Sequence, residues 1–175
     1  SMNDSLGDKK PLPVDGVKGR AVIFDGKKSQ WATGIKADAL SAGATFAVWA
    51  QLATPQKPEQ VLIGAKKGEE LFALGANLDG WSGYGVRVKN AKQESQIAAV
   101  VPEQADGNWH HLAATLDLVK GLRFYLDGKP AGMAAFSGLP ADAEFFLGSR
   151  GGTDFTGGTF DEAWIYGRVL DAKEI

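Results

Sequence analysis

The chain predicts an all-β fold, two antiparallel sheets packed face to face. Three observations predict it. Residues 107–130 read as two strands and a turn into a third, with Leu112, Ala114 and Leu116 on one face against His111, Ala113 and Thr115, then Leu122, Phe124 and Leu126 against Arg123 and Tyr125. Period-two alternation of this kind marks strands with one buried face. Residues 45–52 repeat it, with Phe46, Val48, Ala50 and Leu52 opposite Ala47, Trp49 and Gln51. Finally, 23 glycines punctuate the 175 residues at short intervals, the spacing that many short strands require.

At this length one domain with a real core is the default. Hydrophobic residues make up 44% of the chain, which is ordinary for a globular protein. A net charge of −2 gives no basic face, so nucleic acid is not expected as a partner. Cysteine is absent, which excludes disulfides, thiolate metal sites and a Cys nucleophile. No apolar run reaches the length of a membrane span, and no signal peptide is seen. Ser1-Met2 reads as an expression scar, and Glu174-Ile175 as the cut end of a longer chain.

Residues 1–19 are polar, carry Pro11, Pro13, Gly16 and Gly19, and read as an extended lead-in to a domain over 20–175. Asn3-Asp4-Ser5 fits a glycosylation sequon that reads as incidental. Strands follow at 20–25, 29–33, 45–52, 60–65 and 70–74. The loop 77–85 is rich in glycine and carries Trp81 and Tyr84. A hairpin at 86–88 and 95–101 precedes the 107–130 unit, where Asp127-Gly128 supplies a tight turn because Gly tolerates φ > 0. Strands at 145–148 and 159–166 flank a second Gly-rich loop, 149–158. Residues 168–175 read as a short C-terminal helix, with Asp171 near its N-cap and Glu174 three residues on.

Four stretches together resemble one family. They are Ala21-Val22-Ile23-Phe24-Asp25-Gly26, Trp109-His110-His111-Leu112-Ala113, Phe124-Tyr125-Leu126-Asp127-Gly128-Lys129 and the run from Phe160 to Leu170. In order and spacing they are similar to the F-D-G opening, the W-H-H-V-A strand, the Y-V-D-G-K turn and the I-D-E-V-R-I-Y-N-R-A-L ending of the laminin-G-like, concanavalin A-like family. The resemblance runs from about residue 4 to the end, and it implies a two-sheet antiparallel jelly-roll sandwich with one sheet concave. Two departures stand out. Many members begin with an additional strand before the position of Asn3 that is not visible here, and Trp164 stands where the family usually has Arg.

Some relatives in the superfamily are laminarinase-type glycoside hydrolases with an E-x-D-x-x-E strand. Retaining hydrolysis needs two carboxyls roughly 5 Å apart. No such triplet occurs, and the adjacent Asp161 and Glu162 would face opposite ways, so an enzyme is not expected. His110 and His111 are also adjacent and lack a third partner at helical spacing; they read as packing residues. The resemblance further implies a structural Ca²⁺ held by Asp25 and Asp161 with nearby carbonyls, six to eight oxygens in all. The alternative is that Asp25 caps its turn and Asp161 pairs with Arg168 or Arg20.

The aromatic residues carry the only site argument. If the alternation holds, Trp49, Gln51, Arg123, Tyr125, Trp164 and Tyr166 share the outer face of a sheet. Flat rings stack on the C–H patches of sugars while Arg and Gln donate to hydroxyls. The alternative is a second minor core, covered by loops or by a neighbouring domain. Trp81 and Tyr84 form a second candidate on their Gly-rich loop, or a plug over the sandwich end. The expectation is a non-catalytic binding module of a larger extracellular, cell-surface or periplasmic protein. Its partner is a glycan or, alternatively, the neighbouring domains of the parent protein.

Overall fold

The alternating segments form the sheets that their periodicity predicts. A computed structural model describes residues 12–53, 57–89, 94–99 and 106–175, with strands β1 (Leu12–Gly16), β2 (Gly19–Asp25), β3 (Trp31–Lys36), β4 (Ala44–Leu52), β5 (Gln60–Lys67), β6 (Glu69–Ala76), β7 (Tyr84–Lys89), β8 (Ser95–Ala99), β9 (Trp109–Asp117), β10 (Gly121–Leu126), β11 (Lys129–Ala134), β12 (Glu144–Leu147) and β13 (Gly157–Tyr166). The seven-stranded sheet has the order β1-β2-β13-β4-β9-β10-β11, and the six-stranded sheet β3-β12-β5-β6-β7-β8.

The core lies between the sheets. Phe46 stacks on Phe145 at 5.1 Å and lies 4.6 Å from Phe72, while Phe24 meets Phe160 at 4.6 Å. All five rings are buried, and burying each contributes about 1.5–3 kcal/mol. The β10–β11 hairpin turns on Asp127 (φ 51°) and Gly128 (φ 74°), both left-handed as a two-residue turn of matching twist requires.

Several expectations change. The lead-in contains β1, which pairs antiparallel with β2 and forms one edge of the seven-stranded sheet. No strand was expected in this lead-in, which carries Pro13; the additional strand that many family members have before the position of Asn3 falls outside the described residues. Residues 168–175 form a hydrogen-bonded turn, not a helix. The capping exchange is made all the same: Glu174 N donates to Asp171 Oδ1 and Asp171 N to Glu174 Oε2. The sequon at 3–5 and the tail of the strand expected at 95–101 lie outside the described residues.

A charged network braces the outer side of the six-stranded sheet. Arg87, 1% exposed, binds Glu70 (2.8 Å from Nε), Glu59 (2.6 Å) and Asp79. Arg150 reaches the other oxygen of Glu70 at 2.5 Å, and also Glu59 and Asp154. Three loops are thereby tied to β6 and β7.

Candidate groove on the seven-stranded sheet

Strand register sets out the outer face of the seven-stranded sheet in rows. Trp49 on β4 lies between Asp161 on β13 and His111 on β9. One step along, Ala47 lies between Trp164 and Ala113, and Ala113 pairs with Tyr125 on β10. The next row is Tyr166, Thr45, Thr115 and Arg123.

Parity alone would not produce these rows. Phe160 is buried in the core, so strict alternation would turn Trp164 inward as well. A β-bulge between Asp161 and Trp164 adds one residue, Glu162, whose φ is 47°. The extra residue reverses parity. Ala163 and Ile165 then pack on the core, and Trp164 and Tyr166 face outward.

Trp49, His111, Trp164 and Tyr166 line one groove of about 250 Å³, joined by Lys18, Ala47, Glu162, Leu170, Glu174 and Ile175. The Trp164 and Tyr166 rings lie nearly parallel, 21° apart with centroids at 6.0 Å. Trp49 lies 5.2 Å from His111. Trp164 is 49% exposed, and its Nε1 donates to Glu162 Oε2 at 3.1 Å. Burial lowers the pKa of His111 and nearby Lys18 adds to this, against the opposing charge of Asp127, a balance that favours the neutral ring. Glu174 is held in a two-bond fork by Arg168 at 2.8 and 3.0 Å, which lowers its pKa to about 2.

The other expected ligand residues lie elsewhere. Gln51 is half-buried one row beyond, between Thr159 and Trp109. Arg123 is exposed two strands away from Trp49's strand. Tyr125 is not exposed as expected: with Ala47 and Ala113 it forms a small second core under Ile175. Tyr84 is fully buried, against the expectation of a loop residue, because β7 begins there; among the described residues its hydroxyl has no hydrogen-bond partner. Trp81 is 62% exposed but stands on the loop before β7, in the other sheet.

His111, Lys18, Glu162 and Glu174 are the groove residues that sequence reasoning missed. His111 was set aside because its neighbour faces away. Its partnership with Trp49 comes from a β4–β9 register that no local pattern prints. Lys18 reaches the groove because its backbone N–H donates to Asp161 Oδ2 at 2.8 Å. Gly16 makes room for this, since a Cβ there would lie 2.4 Å from that oxygen.

Asp25 and Asp161 do not fit one shared calcium. Asp25 pairs with Gly157, four residues before Asp161 on β13, or roughly 13 Å along the strand. Asp25 Oδ1 accepts the backbone N–H groups of Lys27, Lys28 and Ser29, each at 2.9 Å. Burial pushes its pKa up, but these bonds outweigh it and hold the carboxyl well below the usual range. Asp161 is buried and accepts from Lys18 and Glu162 N–H groups, not from Arg168 or Arg20. Among the described residues no group of three His, Asp or Glu side chains is placed to hold a metal.

Comparisons with known proteins agree with this architecture. Domain 4 of a GH43 extracellular arabinanase from Geobacillus stearothermophilus, solved with arabinotriose, superposes with a TM-score of 0.72 at 17% identity, over 98% of this chain and 80% of that one. The ligand binding domain of botulinum neurotoxin serotype D, solved with N-acetylneuraminic acid, gives 0.72 at 9% identity, over 99% and 44%. The binding domain of Paraclostridial Mosquitocidal Protein 1 gives 0.67 at 14% identity, over 99% and 46%. This chain thus spans less than half of the two toxin domains. At these identities the likeness is one of fold. No curated protein matches in sequence. The family model of the concanavalin A-like lectin/glucanases superfamily matches residues 25–175, and the chain belongs to that superfamily.

Proposed function

We propose that this domain is a non-catalytic carbohydrate-binding module of a larger exported protein, with the groove on the seven-stranded sheet as its site. The observation that carries the reading is the parallel, outward-facing Trp164–Tyr166 pair beside Trp49 and His111, above a polar lining. Two near-parallel rings offer a flat ledge for the C–H faces of successive sugar units. The lining supplies donors in Lys18 and acceptors in Glu162 for hydroxyls. Glycan complexes of the arabinanase domain and the serotype D domain support the class of ligand. The extracellular origin of the first supports export; among the described residues no helix is long and apolar enough to cross a membrane.

The groove's titratable groups suit binding better than cleavage. A general acid needs a raised carboxyl pKa, whereas Glu174 is held near 2 by Arg168. Glu162 is engaged by Trp164. A glycan array followed by calorimetry on wild type and Trp164→Ala tests the site. Affinity should fall by about tenfold or more, with the far-UV spectrum unchanged. Binding that survives both Trp164→Ala and Trp49→Ala but disappears in Trp81→Ala would move the site to the loop before β7.

A further inference from the structure

The solved relatives carry two chemically opposite sugars, a neutral arabinose oligomer and an acidic sialic acid. The charges around the present groove discriminate between such ligands. Its lining has two carboxylates, Glu162 and Glu174, and one ammonium, Lys18. The ammonium sits on an exposed side chain in the β1–β2 turn, where water screens it. Glu162 is held in place by the Trp164 indole at 3.1 Å and by the bulge that carries it. The fork between Arg168 and Glu174 offsets both charges, which leaves Glu162 as the lining carboxylate without a cationic partner among the described residues. Asp161 adds a buried carboxylate one strand from Trp49, bound by backbone N–H groups and not by a cation. His111 adds little positive charge, because burial favours its neutral form. Arg123, a further cation on this face, stands in the last row on β10, beyond Tyr125.

Resting on the glycan reading above, we propose that the groove selects uncharged sugar chains and rejects uronate, sialate and sulfated ones, with Glu162 as the specificity-determining residue. Glu162 has one oxygen on the Trp164 indole, and its other oxygen is placed to accept from sugar hydroxyls. A charged acceptor makes the stronger hydrogen bond to a hydroxyl, and the same charge opposes a ligand carboxylate held near it in a partly desolvated groove. Specificity then comes from one residue with two effects, attraction of a diol and repulsion of an anion.

The test is calorimetry with matched trisaccharides: arabinotriose, xylotriose and cellotriose as neutral probes, trigalacturonate and sialyllactose as acidic ones. At least one neutral probe should bind, and the acidic probes at least about tenfold more weakly. Glu162→Gln should weaken the neutral probe and narrow the gap, and Glu162→Lys should reverse the order. Raised salt should leave neutral binding unchanged. Acidic probes that bind wild type as tightly as neutral ones, and are lost in Trp164→Ala, would overturn the selectivity while leaving the glycan reading intact. Binding of neither class, extended to a full array, would overturn both.

Discussion

His110 and His111 are adjacent and titrate in opposite directions. His110 Nδ1 lies 2.8 Å from Asp127 and Nε2 3.1 Å from Asp106. Burial disfavours its charged form, but the two carboxylates outweigh this and raise its pKa. For His111 burial and the charge of Lys18 outweigh the opposing charge of Asp127, and its pKa falls. A raised folded-state pKa stabilises fully below the unfolded value of about 6.5 and is lost as pH rises through the folded value. A lowered one does the reverse, withdrawing stability as pH falls below about 6.5. The two contributions oppose each other in wild type. Urea unfolding at pH 5.5 and 8.5 should therefore show His110→Gln costing more at the lower pH, and His111→Gln costing less there. Equal losses at both pH values would refute the assignment. Little of this was legible in the sequence, since Asp127 meets His110 only once β9 and β10 are paired.

At the scale of elements, strands were legible wherever one face is buried. Leu112, Ala114 and Leu116 are buried as their alternation required, as are Phe46, Val48 and Ala50. The C-terminal segment misled because it carries a complete capping pair and yet closes only a single turn. β13 is the subtler case. Trp164 and Tyr166 were expected outward from the positions of Ala163 and Ile165, which holds, but nothing in the sequence reveals the bulge that makes it compatible with a buried Phe160. Glu162 occupies a left-handed backbone that costs a non-glycine residue on the order of 1 kcal/mol. Glu162→Gly should therefore raise the unfolding free energy by up to about 1 kcal/mol while lowering glycan affinity, since the side chain is gone. A variant that loses both stability and affinity, measured by denaturation and calorimetry, would show the bulge conformation is not strained.

At the scale of the whole molecule, the two outer faces differ in how they are finished. The six-stranded sheet is closed by salt bridges that bind Glu70 between Arg87 and Arg150. Without the Glu70 carboxylate Arg87 keeps Glu59 and Asp79, and Arg150 keeps Glu59 and Asp154, so both guanidiniums stay partly compensated. Glu70→Gln should cost about 1–3 kcal/mol in denaturant unfolding, and a loss under about 0.5 kcal/mol would mean the network contributes little. The seven-stranded sheet is finished in part by the segment after β13, where Ile175 packs on Ala47, Ala113 and Tyr125. That cover takes Tyr125 out of the six outward residues read from the sequence, while Gln51 and Arg123 face outward beyond the groove. Alternation tells which side a residue faces, but not which distant segment lies on top of it.

The bulge on β13 also bears on how such a surface is kept in descent. Trp164 and Tyr166 face outward because the bulge absorbs one residue, Glu162, between them and Asp161. Deleting that codon would restore plain alternation, with Trp164 and Tyr166 still outward and Ala163 and Ile165 still inward, and would take away the Glu162 carboxylate alone. A single-codon change at the bulge therefore alters the charge beside the aromatic ledge while the ledge stays in place.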